Sequence, residues 1–429
     1  MNRSVFLPTA LALLLATPVV QAQTWLRCAD SVDIVAGETT GPVTLVVAEG
    51  RIERVVDGHP EPGEADDVVE LEGLTCLPGL MDMHTHLTSE SSPTRYADRF
   101  TENEADVALQ STEYARKTLE AGFTTVRDVG DQYNASIALR DAIDEGIVPG
   151  PRVYTSGKSL ATTGGHADPT NGWRADLMGT PGPREGVLNG VAAAREAVRQ
   201  RYKDGADLIK ITVTGGVLSV AKNGMNPQFR PDEVEAVIET ARDYGMHVAA
   251  HAHGAEGMKR AIRAGIHSIE HGTMMDDEVI DLMIEHGTWY VPTISAGKFV
   301  AEKAEVEGYY PDLVRPKARQ IGPMIQDAFE RAHAAGVRIA FGTDCGVCYH
   351  GTNAQEFGYM VEAGMAPADA LRAATVHAAE LLGVRDEAGT LETGRWADII
   401  AVSGNPLEDV GVLTDVRFVM KGGEIHVRR

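Results

Sequence analysis

Between residues 80 and 340 the chain repeats one pattern: a short apolar run, a stretch with helical periodicity, then a glycine. The apolar runs begin near Leu80, Thr124, Arg152, Leu208, His247, Ser268, Trp289 and Arg338. Helical stretches such as Asp232–Tyr244, Glu256–Ala264 and Asp277–Glu285 lie between them, and Gly205 and Gly287 stand where a left-handed residue ends a helix. Eight strand–helix alternations predict an α/β protein with a (β/α)8 TIM barrel. A doubly wound open sheet would need a phosphate-binding glycine fingerprint after an early strand, and no such fingerprint is present.

The two chain ends read differently. Val43–Val47, a Glu49-Gly50 turn and Ile52–Val56 form a hairpin signature, and Ala397–Val402, Val416–Met420 and the Gly422-Gly423 turn repeat it at the other end. Neither piece can bury its apolar face alone. The sequence therefore predicts one small β-sandwich made of residues 23–77 and 390–429, with the barrel occupying 78–389. The 429 residues suffice for both, and 43% hydrophobic composition is enough to fill their cores.

A formal net charge of −23 argues against nucleic acid or an anionic membrane as a partner. Residues 1–22 read as a signal peptide: Arg3, an apolar run from Leu7 to Val20 too short to span a bilayer, and Val20-Gln21-Ala22 before a cut at Gln23. The expectation is a periplasmic or secreted protein. Export permits disulfides, and Cys28 and Cys76 flank the N-terminal strand segment. Spacing alone leaves open whether they pair. Cys345 and Cys348 form a C-x-x-C that lacks the second close pair a zinc ribbon needs, and reads as a disulfide or two buried thiols.

Residues suited to metal chemistry gather at strand ends. His84 and His86 are two apart at the end of the first barrel strand and share a face. His251 and His253 repeat the spacing in Val248-Ala-Ala-His-Ala-His, His271 ends Ser268-Ile-Glu-His, and Asp344 ends Ile339-Ala-Phe-Gly-Thr-Asp. Lys210 closes the apolar run Leu208-Ile-Lys, where an ammonium must reach water or lose its charge. An H-x-H pair alone is weak evidence. Seven such groups at the C-terminal ends of barrel strands, the face that carries active sites, are strong evidence. His166 lies in a glycine-rich loop at the same face.

These residues occur within Pro78-Gly-Leu-Met-Asp-Met-His-Thr-His, Gly122-Phe-Thr-Thr-Val-Arg-Asp, Ser268-Ile-Glu-His-Gly, Gly342-Thr-Asp and Gly394-Arg-Trp-Ala-Asp-Ile. By these motifs the chain resembles the amidohydrolase superfamily. Thr163-Gly-Gly-His166, Ile209-Lys-Ile-Thr and His251-Ala-His-Gly-Ala-Glu-Gly make it similar to the imidazolonepropionase-related branch with Xaa-Pro dipeptidases and ochratoxin-degrading amidohydrolases.

The resemblance implies that His84, His86 and Asp344 bind one divalent ion and His251 and His271 a second, most often Zn²⁺, with Lys210 carboxylated to a carbamate that bridges them. It implies Asp344 as the proton carrier and His166 and His253 as groups that hold substrate, although His253 could instead support His251. The implied reaction is hydrolysis of a small-molecule amide or dipeptide with release of a C-terminal amino acid. The alternative is deamination or opening of a cyclic amide, for which Glu256 has the spacing of a deaminase acid; a helix first-turn role is its other reading. By analogy with relatives the resemblance also implies a homo-oligomer, up to an octamer. The remaining eight histidines, His59, His247, His267, His286, His333, His350, His377 and His426, read as surface or packing residues.

Overall fold

The computed structural model describes residues 23–64, 66–222 and 224–429. The segment read as a signal peptide lies outside them. Among the described residues no helix is long and apolar enough to cross a membrane.

Strands β1 (Thr24–Asp33), β2 (Glu38–Thr39), β3 (Val43–Ala48), β4 (Arg51–Asp57) and β5 (Asp67–Pro78) open the chain. Seven strands follow at helix-separated intervals: β6 (Leu80–Thr85), β7 (Phe123–Asp128), β8 (Arg152–Thr155), β9 (Ile209–Thr212), β10 (Val248–Gly254), β11 (Ser268–Met274) and β12 (Trp289–Val291). The chain closes with β13 (Ile399–Ser403), β14 (Val416–Lys421) and β15 (Glu424–Arg428). The protein is thus α/β.

The two chain ends do join. Their strands form one eight-stranded sheet in the order β15-β14-β13-β5-β1-β3-β4, with β2 against β1. By hydrogen bonding this is a single sheet, where the sequence suggested two. The reason is β5, whose 12 residues pair with β1 along one part and with β13 along another, so one long strand carries the ladder from the N-terminal half to the C-terminal half. One apolar cluster draws on both halves, with Leu26, Leu45 and Leu71 packed with Ile399, Phe418 and Met420.

Cys28 of β1 and Cys76 of β5 are bonded across neighbouring strands with Cα atoms 6.0 Å apart, and Cys345 is bonded to Cys348. No free cysteine remains among the described residues. Unfolded, unreduced protein should therefore show no reactive thiols in quantitative labelling; four would contradict both pairings. The Cys28–Cys76 bridge spans 48 residues. Its removal by Cys28→Ala/Cys76→Ala should cost about 2–4 kcal/mol in denaturant unfolding.

In the middle of the chain, β6-β7-β8 and β9 to β12 form two parallel sheets. Single parallel bridges link them: Leu160 with Ile211, Tyr290 with Ile339, and Thr85 with Cys345. The segment expected as an eighth strand near Arg338 forms no continuous strand, yet it bonds β12 (Tyr290 N–H to Arg338 O, Ala340 N–H to Tyr290 O) and β6 (Met83 N–H to Phe341 O). Its amides are spread over several partners: Phe341 N–H donates to Ala373 O (3.0 Å) and Asp344 N–H to His84 O (2.7 Å). Gly342 must be a glycine here, since a Cβ would lie 2.3 Å from Val291 and 3.1 Å from His84.

The helices are amphipathic in the expected way. Ala255–Arg263 buries Met258, Ala261 and Ile262, and its Arg260 pairs on the surface with Glu256 at 2.8 Å. Gly205 (φ +97°) and Gly287 (φ +66°) cap their helices in the left-handed conformation.

Candidate active site

The C-terminal ends of β6, β9, β10 and β11 and the segment ending at Asp344 surround one cavity of about 480 Å³. Of the 14 histidines, His84, His86, His166, His251, His253 and His271 line it, together with Lys210 and Asp344. None of the eight histidines expected to be structural does. Glu256 does not line it either; it is on the surface, paired with Arg260.

His84, His86 and Asp344 offer ligand atoms that all lie within 4.8 Å of one another. The rings of His251 and His271 are 4.6 Å apart, and His271 lies 4.8 Å from His84. His253 packs 4.6 Å from His251 and 5.3 Å from His271. His166 stacks on His251 at 4.3 Å. The structure thus brings all eight residues expected to hold metal or substrate to one cavity, and leaves Glu256 outside it.

Each central imidazole is held by one nitrogen. His86 Nδ1 donates to Gly130 O (2.7 Å) and His251 Nε2 to Gly215 O (3.2 Å). His84 Nδ1 bonds Glu270 (2.8 Å), His271 Nδ1 bonds Thr293 Oγ1 (2.7 Å), and His253 Nδ1 bonds Thr273 Oγ1 (2.8 Å). Burial, then the neighbouring imidazoles, push the pKa values of His251 and His271 well below the ordinary value; burial and Lys210 lower that of His84 to about 4. These rings are therefore neutral at neutral pH, and the second nitrogen of each is a lone pair.

His84 Nε2 and His86 Nε2 lie 3.6 and 3.2 Å from Asp344 Oδ1. That oxygen is buried without an aligned hydrogen-bond donor. The neutral His84 turns a lone pair toward that oxygen; burial would lower the pKa of His86, but Asp344 outweighs it and raises it. A cation held among the three groups satisfies the unpaired oxygen. The residues present fit a metal ion on that ground.

Lys210, in the centre of β9, is 3% exposed. Burial is the largest influence on its amine and lowers the pKa to about 8.

The residues that sequence reading passed over are those that hold the ligands. Arg127 of β7 is fully buried and forks onto Glu270 of β11 through Nη2 at 2.8 and 2.9 Å, and donates to Met83 O and Ser268 Oγ. Burial would raise the Glu270 pKa, but Arg127 and His84 outweigh it and hold the carboxylate ionised. Glu270 thereby orients His84. Both residues lie inside recognised motifs, and a charge in mid-strand on an otherwise apolar run was the available signal. Backbone strain also concentrates here: His271 (φ +68°), Thr293 (φ +56°) and Asp344 (φ +59°) are non-glycine residues in the left-handed region. In a regular strand His271 would face away from the side of Ser268 and Glu270; its left-handed backbone lets the imidazole meet His84.

Parallel strands that deliver ionisable side chains to a common mouth, with a buried charge pair setting their orientation, make this an α/β protein with a candidate metal centre. The chain belongs to the amidohydrolase family: the family's sequence model matches residues 75–426. It is 35% identical to the ochratoxinase of Aspergillus niger over 373 residues, 81% of this chain and 75% of that protein. It is 23% identical to imidazolonepropionase of Micrococcus luteus over 381 residues, 85% of this chain and 88% of that protein. The crystal structure of a Xaa-Pro dipeptidase with methionine bound in its active site superposes with a TM-score of 0.92 at 51% identity, covering 94% of this chain and 99% of that one.

Proposed function

We propose that the chain is a binuclear metal-dependent amidase that releases a C-terminal amino acid from a dipeptide, including Xaa-Pro, or from an N-acyl amino acid such as ochratoxin A. The observation that carries this reading is the cluster of buried imidazoles around the orphaned Asp344 oxygen and the buried Lys210. The similarity to an ochratoxinase and to a Xaa-Pro dipeptidase supports the substrate class.

In this reading His84, His86 and Asp344 hold one Zn²⁺ ion and His251 and His271 a second. The Lys210 amine forms an N–C bond with carbon dioxide and releases a proton, which replaces a donor-only ammonium with two anionic oxygens that can serve both ions. Bound there, the ions supply a lowered water pKa and a polarised amide carbonyl. Asp344 takes the proton of the attacking water and delivers it to the leaving amine. His166 and His253, at the edge of the imidazole cluster, hold the carboxylate of the leaving amino acid.

The scaffold belongs to the same reading. The parallel strands and their connecting bridges make a closed (β/α)8 barrel over residues 78–389, and the chain-end sheet folds over itself as a two-layer sandwich. The paired cysteines agree with a periplasmic or secreted protein, and the homo-oligomer rests on analogy alone. Deamination or cyclic-amide hydrolysis is the second reading, favoured by the imidazolonepropionase similarity. The surface position of Glu256 removes its residue-level support.

Two histidine variants test the substrate assignment. Blocking the substrate carboxylate as an amide or ester should lower kcat/KM by roughly 10- to 100-fold, the value of a charge-assisted hydrogen bond. His253→Ala should cause a similar loss on free acids and a much smaller one on blocked substrates. His251→Ala should damage both equally. A His253→Ala variant that loses equally on both would make His253 a support for the metal site and remove the carboxylate clamp.

A further inference from the structure

One wall of the cavity is formed by the loop that follows β9. Val217, Leu218, Ser219 and Val220 line the cavity. Gly216 passes so close to His166 that a Cβ there would lie 2.1 Å from the ring. This loop both shapes the cavity and backs the imidazole assigned to the substrate.

The loop is anchored from behind by one side chain. Lys317 Nζ donates to the carbonyls of Gly216 (3.0 Å), Ser219 (2.9 Å) and Ala221 (2.9 Å). No carboxylate pairs with this ammonium among the described residues. Lys317 stands in the first turn of the helix Arg315–Ala334, where the helix dipole disfavours a cation. Its charge therefore serves the loop and not the helix. A second cavity of about 230 Å³, lined by Lys317, Met274 and Gln320, lies on the far side, and Val217 and Ile321 line both cavities. The loop is thus a thin partition with space on either side. Its cavity-side anchor is Tyr96, whose hydroxyl donates to Leu218 O at 2.8 Å.

We propose that Lys317 is a positioning residue for substrate recognition: by gathering three carbonyls it fixes the partition behind His166, and the fixed partition sets the size of leaving amino acid the cavity accepts. The size selection rests on the amidase reading; the anchoring of the loop does not.

The test compares wild-type full-length enzyme with Lys317→Met, Lys317→Arg and Tyr96→Phe. Hydrogen exchange should accelerate by about tenfold or more in peptides covering 216–221 of Lys317→Met, while β9 and β10 keep wild-type protection. Lys317→Arg should restore protection at least in part, and Tyr96→Phe should loosen the same peptides. On N-acyl amino acids of graded amino-acid side-chain size, KM should rise by about tenfold with kcat within about twofold, and the preference among sizes should flatten. Unchanged exchange in 216–221, or faster exchange throughout the chain, overturns the anchor. A loosened loop with wild-type KM and size preference overturns the specificity role. Should wild-type enzyme release no amino acid from any substrate, the amidase reading fails, and the exchange result still decides the anchor.

Discussion

Lys210→Ala is expected to lose at least about 100-fold in kcat/KM, which corresponds to about 2.7 kcal/mol of transition-state stabilisation. It is also expected to purify with less metal than wild type. Lys210 sits at 3% exposure within a ring of imidazoles, with its amine pKa lowered to about 8 by burial. As an ammonium it can only donate, so it cannot ligate a cation; as a carbamate it supplies two oxygens. Truncation leaves a space where that group stood, and short carboxylic acids added to the buffer should enter it and restore part of the activity. Assays with and without added acid, alongside metal analysis, check this. Full activity with full metal content in the variant would end the carbamate assignment.

The second large effect concerns stability. Arg127→Met should cost about 3–5 kcal/mol, because it leaves the Glu270 carboxylate buried without its counter-charge. The pair is fully inaccessible and Arg127 satisfies Met83 O and Ser268 Oγ as well, so no water can take its place without rearrangement. Arg127→Met/Glu270→Met should be more stable than Arg127→Met alone, since removing both charges removes the desolvation penalty. The double variant should nevertheless bind metal about 10- to 100-fold more weakly, because His84 Nδ1 loses the acceptor that orients its ring. Denaturant unfolding and chelator competition separate the two effects. An Arg127→Met variant within about 1 kcal/mol of wild type would show that the pair is not the strut described here.

Periodicity made much of this molecule legible. β6 to β12 each appear where an apolar run begins, because a strand buried on both faces reads as an uninterrupted apolar segment. The ligand-type residues were legible for the same reason: a histidine or lysine at the end of such a run has no place in an apolar core. What failed to show was whatever depends on two distant segments meeting. The run near Arg338 reads like its neighbours, yet it forms no continuous strand: it bonds Tyr290 on one side and Met83 and His84 on the other, and the Phe341 amide turns away to Ala373. The fork of Arg127 onto Glu270 joins residues 143 apart, and neither residue alone announces its partner. The left-handed backbones of His271 and Asp344 are set by tertiary packing, which no local pattern announces. Lys317 reads as an ordinary surface lysine until the loop it anchors is seen. That the chain ends join was legible, since neither hairpin buries its apolar face alone; that β5 carries both in one ladder was not.

In the proposed reading these residues hold metal and cleave an amide to free an amino acid. The most direct measurement follows free amino acid released from an N-acyl-L-phenylalanine by the full-length protein, before and after chelator dialysis and after zinc is returned. Stoichiometric release of phenylalanine that disappears on dialysis and returns with about two equivalents of zinc per chain is the predicted result. Release of ammonia in place of the amino acid, or hydrolysis that persists undiminished in metal-free protein, would contradict it.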